Sequence, residues 1–441
     1  MSETAVAPRL LTLRFPLLLT GFGLCVGYLT VSDRSAALLI ALLPLGLYLF
    51  LRPTLGIALG IALLPVLRPI AGAEGGAAVV SPSDAALLVS VAGLVPLWLL
   101  RSEWNSRLKH LGPILLFAAP YVSWFLVVLA AHLSVRSAFK TMTALEITIL
   151  PIVLGACVME KRWLLPALYG FLATSGLLAV IWVTGAKSSF AGNKNAAGQY
   201  LALGVILAVV LARGRLLGFA PVPLLLIGML FAASRGAIVG AAFGAVALLG
   251  LRGLGSWRRT FAATVLLSAT IVVGYNAVPV ELQARVSAIL HATATDDSTR
   301  NLSEIQESTN YNLKIRQEYR DAGLEVVKAH PIFGIGAGNY LTGLGTPAQT
   351  ADPHNFIIRA AGEGGIPSAA AFLFLVGGSG LLLFRRLGRN PWAGPAIALQ
   401  VSALVHGLVD VYFIRGIPVL GWFLVGLALN PAFDRDADGD R

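Results

Sequence analysis

An all-α bundle crossing a membrane many times, with one large and mainly helical loop on a single face, is the fold class the sequence predicts. Three observations carry it. Of 441 residues, 56% are hydrophobic and only 12% are charged, about half the ~25% charged share of a soluble domain. The apolar residues fall into runs close to the ~20 residues that a helix needs to cross hydrocarbon. The one long interruption, 278–365, holds 10 of the 22 acidic residues and three of the six histidines. Its backbone and side chains would lack partners in lipid, so it is expected outside the bilayer.

Taken in order, the apolar runs lie near 14–31, 35–51, 54–71, 82–100, 112–132, 137–157, 162–184, 196–212, 216–233, 236–251, 260–276, 366–384, 393–411 and 415–430. Pro53, Pro65 and Pro96 edge or interrupt some of them, and paired or re-entrant segments would reduce the number. Twelve to fourteen spans are predicted. Residues 1–276 then form an N-terminal transmembrane bundle, 277–365 the loop domain, and 366–441 further spans with a short polar tail. Arg9 and Arg14 precede the first run, with no small-x-small cleavage site after it, so an uncleaved first span is expected. Cys25 and Cys157 sit inside apolar runs, where a thiol acts as a small hydrophobe.

Charge sets the orientation. With the N-terminus in the cytoplasm and the runs alternating, the inner stretches collect 18 of the 33 basic residues, among them Arg107, Lys109, Arg385, Arg386 and Arg389. The short outer loops and helix ends hold eight. Cytoplasmic loops of membrane proteins are rich in Lys and Arg. Both termini are therefore expected inside and the long loop outside. The same rule accounts for the net charge of +11, and a nucleic-acid partner is not expected.

Within the loop, Leu282, Val286 and Ile289 share a helical stripe. Residues 292–310 are rich in Thr, Ser, Asp and Asn and read as a flexible linker. A second helix ends before Pro331, with Ile315, Tyr319, Ala322 and Val326 on its apolar face. Arg316 and Arg320, four apart, share a side of it. Gly334, Gly336 and Gly338 then form a turn. They follow a helix and not a strand, which excludes a dinucleotide fingerprint.

Several residues could carry chemistry. Arg235, between two apolar runs on the outer side, is either a charge snorkelling at the interface or an anion ligand whose fork binds two phosphate oxygens. Asn193, Lys194 and Asn195 precede a span, as an ordinary turn and cap or as an anion-binding helix start. His354 is either a structural hydrogen-bonder or a general base, since imidazole titrates near neutral pH. Asp352, Arg359 and Glu363 surround it in the sequence. Asp296-Asp297 reads as a solvated turn, no His/Asp/Glu cluster has ligand spacing, and neither a P-loop nor Gly-x-Ser-x-Gly is present. No metal or other cofactor is expected.

Four of these stretches together resemble the O-antigen ligase/polymerase superfamily of bacterial envelope enzymes. They are Gly192-Asn193-x-Asn195; Ser234-Arg235-Gly236 with Gly240; Arg316 with the helix leading to Pro331-x-x-Gly334-x-Gly336; and His354-Asn355 followed by Glu363-x-Gly365. The resemblance spans about 190–368, and the first 190 residues contribute no motif. It implies a membrane glycosyltransferase of about twelve spans in a Gram-negative inner membrane. It also implies an undecaprenyl-diphosphate-linked glycan donor used on the periplasmic face, and a lipid A-core acceptor if the chain is a ligase. Carried over, the essential histidine is His354 and the arginines near the diphosphate are Arg316 and Arg235. Arg320, Asn355, Arg359, Glu363 and the 193–195 group are the further substrate-binding candidates. Lys194 stands where many relatives have Pro, and Ser368 where Gly is common. Three spans after the loop favour the lipid A-core:O-antigen ligase over a polymerase or a protein O-oligosaccharyltransferase. A lipid-linked glycan transporter is the alternative from another class, though no internal repeat is visible.

Overall fold

The computed structural model describes residues 44–66, 81–100, 107–185, 194–212, 216–232, 234–252, 302–340, 347–409 and 417–435. The runs predicted at 14–31 and 260–276, the start of the loop and Asn193 lie outside these residues.

The described chain is helical. It comprises α1 (Pro44–Leu51), α2 (Pro53–Ala62), α3 (Pro82–Leu100), α4 (Gly112–Ala131), α5 (Val135–Val153) and α6 (Lys161–Val183). There follow α7 (Lys194–Ala212), α8 (Pro221–Phe231), α9 (Arg235–Arg252), α10 (Leu302–Ala329), α11 (Phe356–Arg386), α12 (Ala393–Gly407) and α13 (Val419–Leu429). Among the described residues, five helices are long and apolar enough to cross a membrane: Lys109–Ala131, Val135–Val158, Lys161–Val183, Lys194–Ala212 and Phe356–Arg386. α1 and α2 together make a sixth if counted as one span bent by 116°. The two runs predicted at 35–51 and 54–71 thus meet in a broken pair. Arg52 and Pro53 stand at the bend, where proline cannot continue the preceding helix. α3, α8, α9 and α13 are shorter apolar segments. A span count of twelve to fourteen is therefore larger than the described helices contain.

The core is built around α13 and α7. Every residue of α13 is buried, as expected of a helix that is apolar all round. It meets the π-helical turn that continues α5, Leu154–Val158, back to back through glycines: a Cβ on Gly155 would lie 2.8 Å from the Leu427 nitrogen, and one on Gly426 2.8 Å from the Ala156 nitrogen. α9 and α12 pack as closely along Gly236, Gly240 and Gly244, a small-xxx-small face of the kind that lets membrane helices touch backbone to backbone. A Cβ on Gly240 would sit 2.6 Å from the Ser402 carbonyl oxygen, and one on Gly244 2.8 Å from that of Ala398. α4 lies against α11 through Phe117 and Phe374, whose ring centroids are 5.0 Å apart, and through Tyr121 and Phe372 at 5.7 Å.

α11 is two helices joined at Gly365, whose φ of 76° and ψ of 171° are not helical. The break frees backbone groups, and the carbonyls of Gly362, Glu363 and Gly364 find donors outside the helix. Pro367 has no N–H for the Glu363 carbonyl four residues back, and Gly336 N–H donates to it instead (2.9 Å). Ile335 N–H donates to the Gly362 carbonyl, and Ile366 N–H to that of Pro331, both at 2.8 Å. Trp124 Nε1 donates to the Gly364 carbonyl at 2.7 Å, with its ring stacked on Phe333. The glycine turn after α10 is thus the clamp for the break in α11, and two stretches that looked separate in the sequence form one unit. α10 also begins earlier than expected: the linker read at 292–310 is helical from Leu302 onward.

Candidate functional site

The polar groups of interest gather at one end of the bundle, around the C-terminus of α12. The last carbonyls of a helix have no intrahelical donors and carry partial negative charge. Here two side chains from the loop supply donors. Arg316 Nη1 of α10 donates to the Val409 carbonyl at 3.1 Å, and Asn355 Nδ2 to that of Leu408 at 3.0 Å. Asn355 also starts α11, its Oδ1 accepting from Ile357 N–H (3.0 Å) and Ile358 N–H (3.2 Å). From the other side, Gly236 of α9 lies against His406 and Val409, a Cβ there being 2.6 Å and 2.9 Å from their nearest atoms.

His354 precedes Asn355. Among the described residues it alone has positive φ without being glycine, at 50°. A left-handed residue with a Cβ is strained and persists where its surroundings hold it. Asp352 does so: its Oδ1 accepts the His354 N–H at 2.9 Å. Its Oδ2 takes Arg359 Nη1 at 2.8 Å, and Arg359 Nε reaches Glu363 Oε1 at 3.2 Å. Asp352 is 3% exposed, Arg359 15% and Glu363 16%. This buried carboxylate–guanidinium–carboxylate chain ties the His354 turn to the first half of α11. Tyr319 of α10 presents its ring nearly parallel to His354, centroids 6.4 Å apart. Tyr340 is buried beside the same chain, and burial pushes its phenol above the ordinary value, with the carboxylates of Glu363 and Asp352 adding to the shift. It stays protonated and donates to the Gly323 carbonyl on α10.

Two helix N-termini complete the end. Arg235 is the first residue of α9, and Lys194 and Asn195 open α7. The two starts are adjacent, because a Cβ on Gly198 would lie 2.9 Å from Ser234 Oγ and 3.0 Å from Ala237 Cβ. Helix N-termini favour anions through free N–H groups and the macrodipole. Beside these starts, Ser234 Oγ and both polar atoms of Gln199 are buried without a hydrogen-bond partner. Buried polar groups are nearly always satisfied, so this hydroxyl and amide are candidates to contact a ligand or water.

The structure thus gathers the neighbourhoods of His354, Arg316, Arg235, Lys194 and Asn195, with Asn355 and Arg320 beside them. It engages Arg359 and Glu363 with each other and with Asp352. Sequence reasoning passed over His406, although an ionisable residue in an apolar helix is a functional candidate by default. It also passed over the full Gly236/Gly240/Gly244 spacing, which a search for small-xxx-small would have found. No group of three or more His, Cys, Asp or Glu suited to a metal forms among the described residues.

Five helices long and apolar enough to span, with polar groups collected at one end, are those of a helical membrane protein with a candidate site at that end. Residues 220–373 match the family model described as O-antigen ligase. Over that segment, about a third of the chain, the protein is similar to the O-antigen ligase family. The matched segment contains Arg235, Arg316 and His354 and ends before α12. No curated protein matched the chain.

Proposed function

We propose that the protein is an O-antigen ligase, transferring a glycan from undecaprenyl diphosphate to a sugar hydroxyl of lipid A-core at the periplasmic face of a Gram-negative inner membrane. The observation that carries this reading is the meeting of α9, α10 and the His354 turn at the end of α12. In it residues 277–365 form a periplasmic loop domain between two transmembrane parts, with both chain termini in the cytoplasm.

The donor's diphosphate sits at the paired starts of α7 and α9, bound by Arg235 and Arg316 with Arg320, Lys194, Asn193 and Asn195. The acceptor oxygen attacks the anomeric carbon while His354 takes its proton. The bond from that carbon to the diphosphate oxygen breaks, and its electron pair leaves with the diphosphate. The arginines absorb the charge that develops there, which makes a separate acid and a metal unnecessary. In-line attack inverts the anomeric centre. Asp352, Arg359, Glu363 and Asn355 hold the turn in place.

Purified protein given labelled donor with lipid A-core is expected to form the conjugate, undiminished by a chelator and lost in Arg316→Ala. Longer glycan from donor alone would make it a polymerase instead. A strict requirement for a divalent ion would defeat the metal-free step, and unaltered glycolipid with both substrates would favour transport.

A further inference from the structure

A second polar site lies at the opposite end of the bundle. The second half of α11 runs from the break at Gly365 to Arg386, about 30 Å at 1.5 Å per residue, and its far end borders a cavity of about 280 Å³ lined by Lys109, His110, Arg385, Arg386 and Arg389, with Leu382 among its apolar walls. The cations are unequally used. Arg386 is committed within the protein: its Nη1 donates to Asp434 Oδ2 at 2.8 Å, and Asn390 Nδ2 donates to Asp434 Oδ1 at 3.0 Å. Among the described residues, Lys109, Arg385 and Arg389 have no acidic partner. Three cations that have no acidic partner among the described residues therefore line one concave space, a lining that suits an anion with several oxygens.

The apolar surroundings say which kind. Large side chains stand exposed on both flanking helices near the cavity, Leu115 and Leu116 on α4 and Leu381 and Phe384 on α11. A soluble anion has no use for them, whereas acyl chains would cover them. The volume falls just below the ~300–1,000 Å³ of sites for drug-sized molecules, which suits a small headgroup. Basic pockets between helices at a cytoplasmic surface hold anionic lipid headgroups by this combination. The geometry points to a binding site for the phosphodiester headgroup of an anionic phospholipid between the start of α4 and the end of α11. This inference does not rest on the transferase reading.

The basic end of any membrane protein attracts anionic lipid diffusely, so the test must separate a site from a surface. Full-length protein in neutral detergent is titrated with phosphatidylglycerol, phosphatidylcholine or inorganic phosphate, and bound ligand is counted by native mass spectrometry. Saturable binding of phosphatidylglycerol alone is expected. Lys109→Gln, Arg385→Gln and Arg389→Gln should each weaken it about fivefold, the effect of one cation near an anionic headgroup. Arg162→Gln removes a charge that is outside the cavity and paired with Glu160, and should leave binding unchanged. Equal weakening by Arg162→Gln, equal saturation by inorganic phosphate, or no saturation would each overturn the proposal.

Discussion

The Asp352 carboxylate does two jobs, and two substitutions separate them. One oxygen accepts the His354 N–H at 2.9 Å and the other pairs with Arg359 at 2.8 Å. Breaking a buried ion pair costs about 3–5 kcal/mol. Arg359 keeps Glu363, so the lower end, about 3 kcal/mol, is expected for Asp352→Ala and Asp352→Asn alike. The turn responds differently. Its left-handed histidine stores about 1–2 kcal/mol, and the hydrogen bond that holds it contributes about 1–1.5 kcal/mol. Alanine abolishes that bond and lets His354 relax to extended backbone. Asparagine retains an acceptor in the same place and suits such turns. Thermal unfolding in detergent should therefore fall equally in both variants, while glycan transfer at a temperature where both are folded should be about tenfold lower in Asp352→Ala than in Asp352→Asn, the factor that about 1.4 kcal/mol represents. Equal transfer rates would refute the claim that this hydrogen bond positions His354.

Gly240→Leu should force α9 from α12, because its Cβ would lie 2.6 Å from the Ser402 carbonyl oxygen; a loss of about 1–3 kcal/mol and of transfer is expected, measured by unfolding and by conjugate formation. Trp124→Phe keeps a ring against Phe333 but removes the donor to Gly364, leaving a buried carbonyl unsatisfied at about 1–3 kcal/mol; faster amide exchange at residues near the break would report it.

Much of the architecture was legible because crossing hydrocarbon imposes a length. The runs at 112–132, 137–157, 162–184 and 196–212 correspond within a few residues to α4, α5 with its π turn at Leu154–Val158, α6 and α7. The run at 366–384 captured only the second half of α11. Phe356 to Gly364 contains Arg359 and Glu363 and reads as polar loop, whereas in the fold those charges neutralise one another and the glycine turn satisfies the break. Hydropathy has no access to partners distant in sequence. The same limit hid the extension of α10 back to Leu302. In the site, His354 and Arg316 stood out by residue type. That they share the end of α12 did not, since the carbonyls of Leu408 and Val409 carry no side-chain signal. Arg359 and Glu363, read as substrate ligands, are placed where protein charges already occupy them.

The central claim is that the His354 imidazole takes the proton of the attacking hydroxyl. Single-turnover transfer of labelled glycan to lipid A-core by purified His354→Ala, with Asp352 and Asn355 intact and folding verified by unfolding temperature, tests it most directly. Transfer at least about a hundredfold slower than in the unaltered protein is predicted, the smallest usual contribution of a general base. An unchanged rate would contradict it.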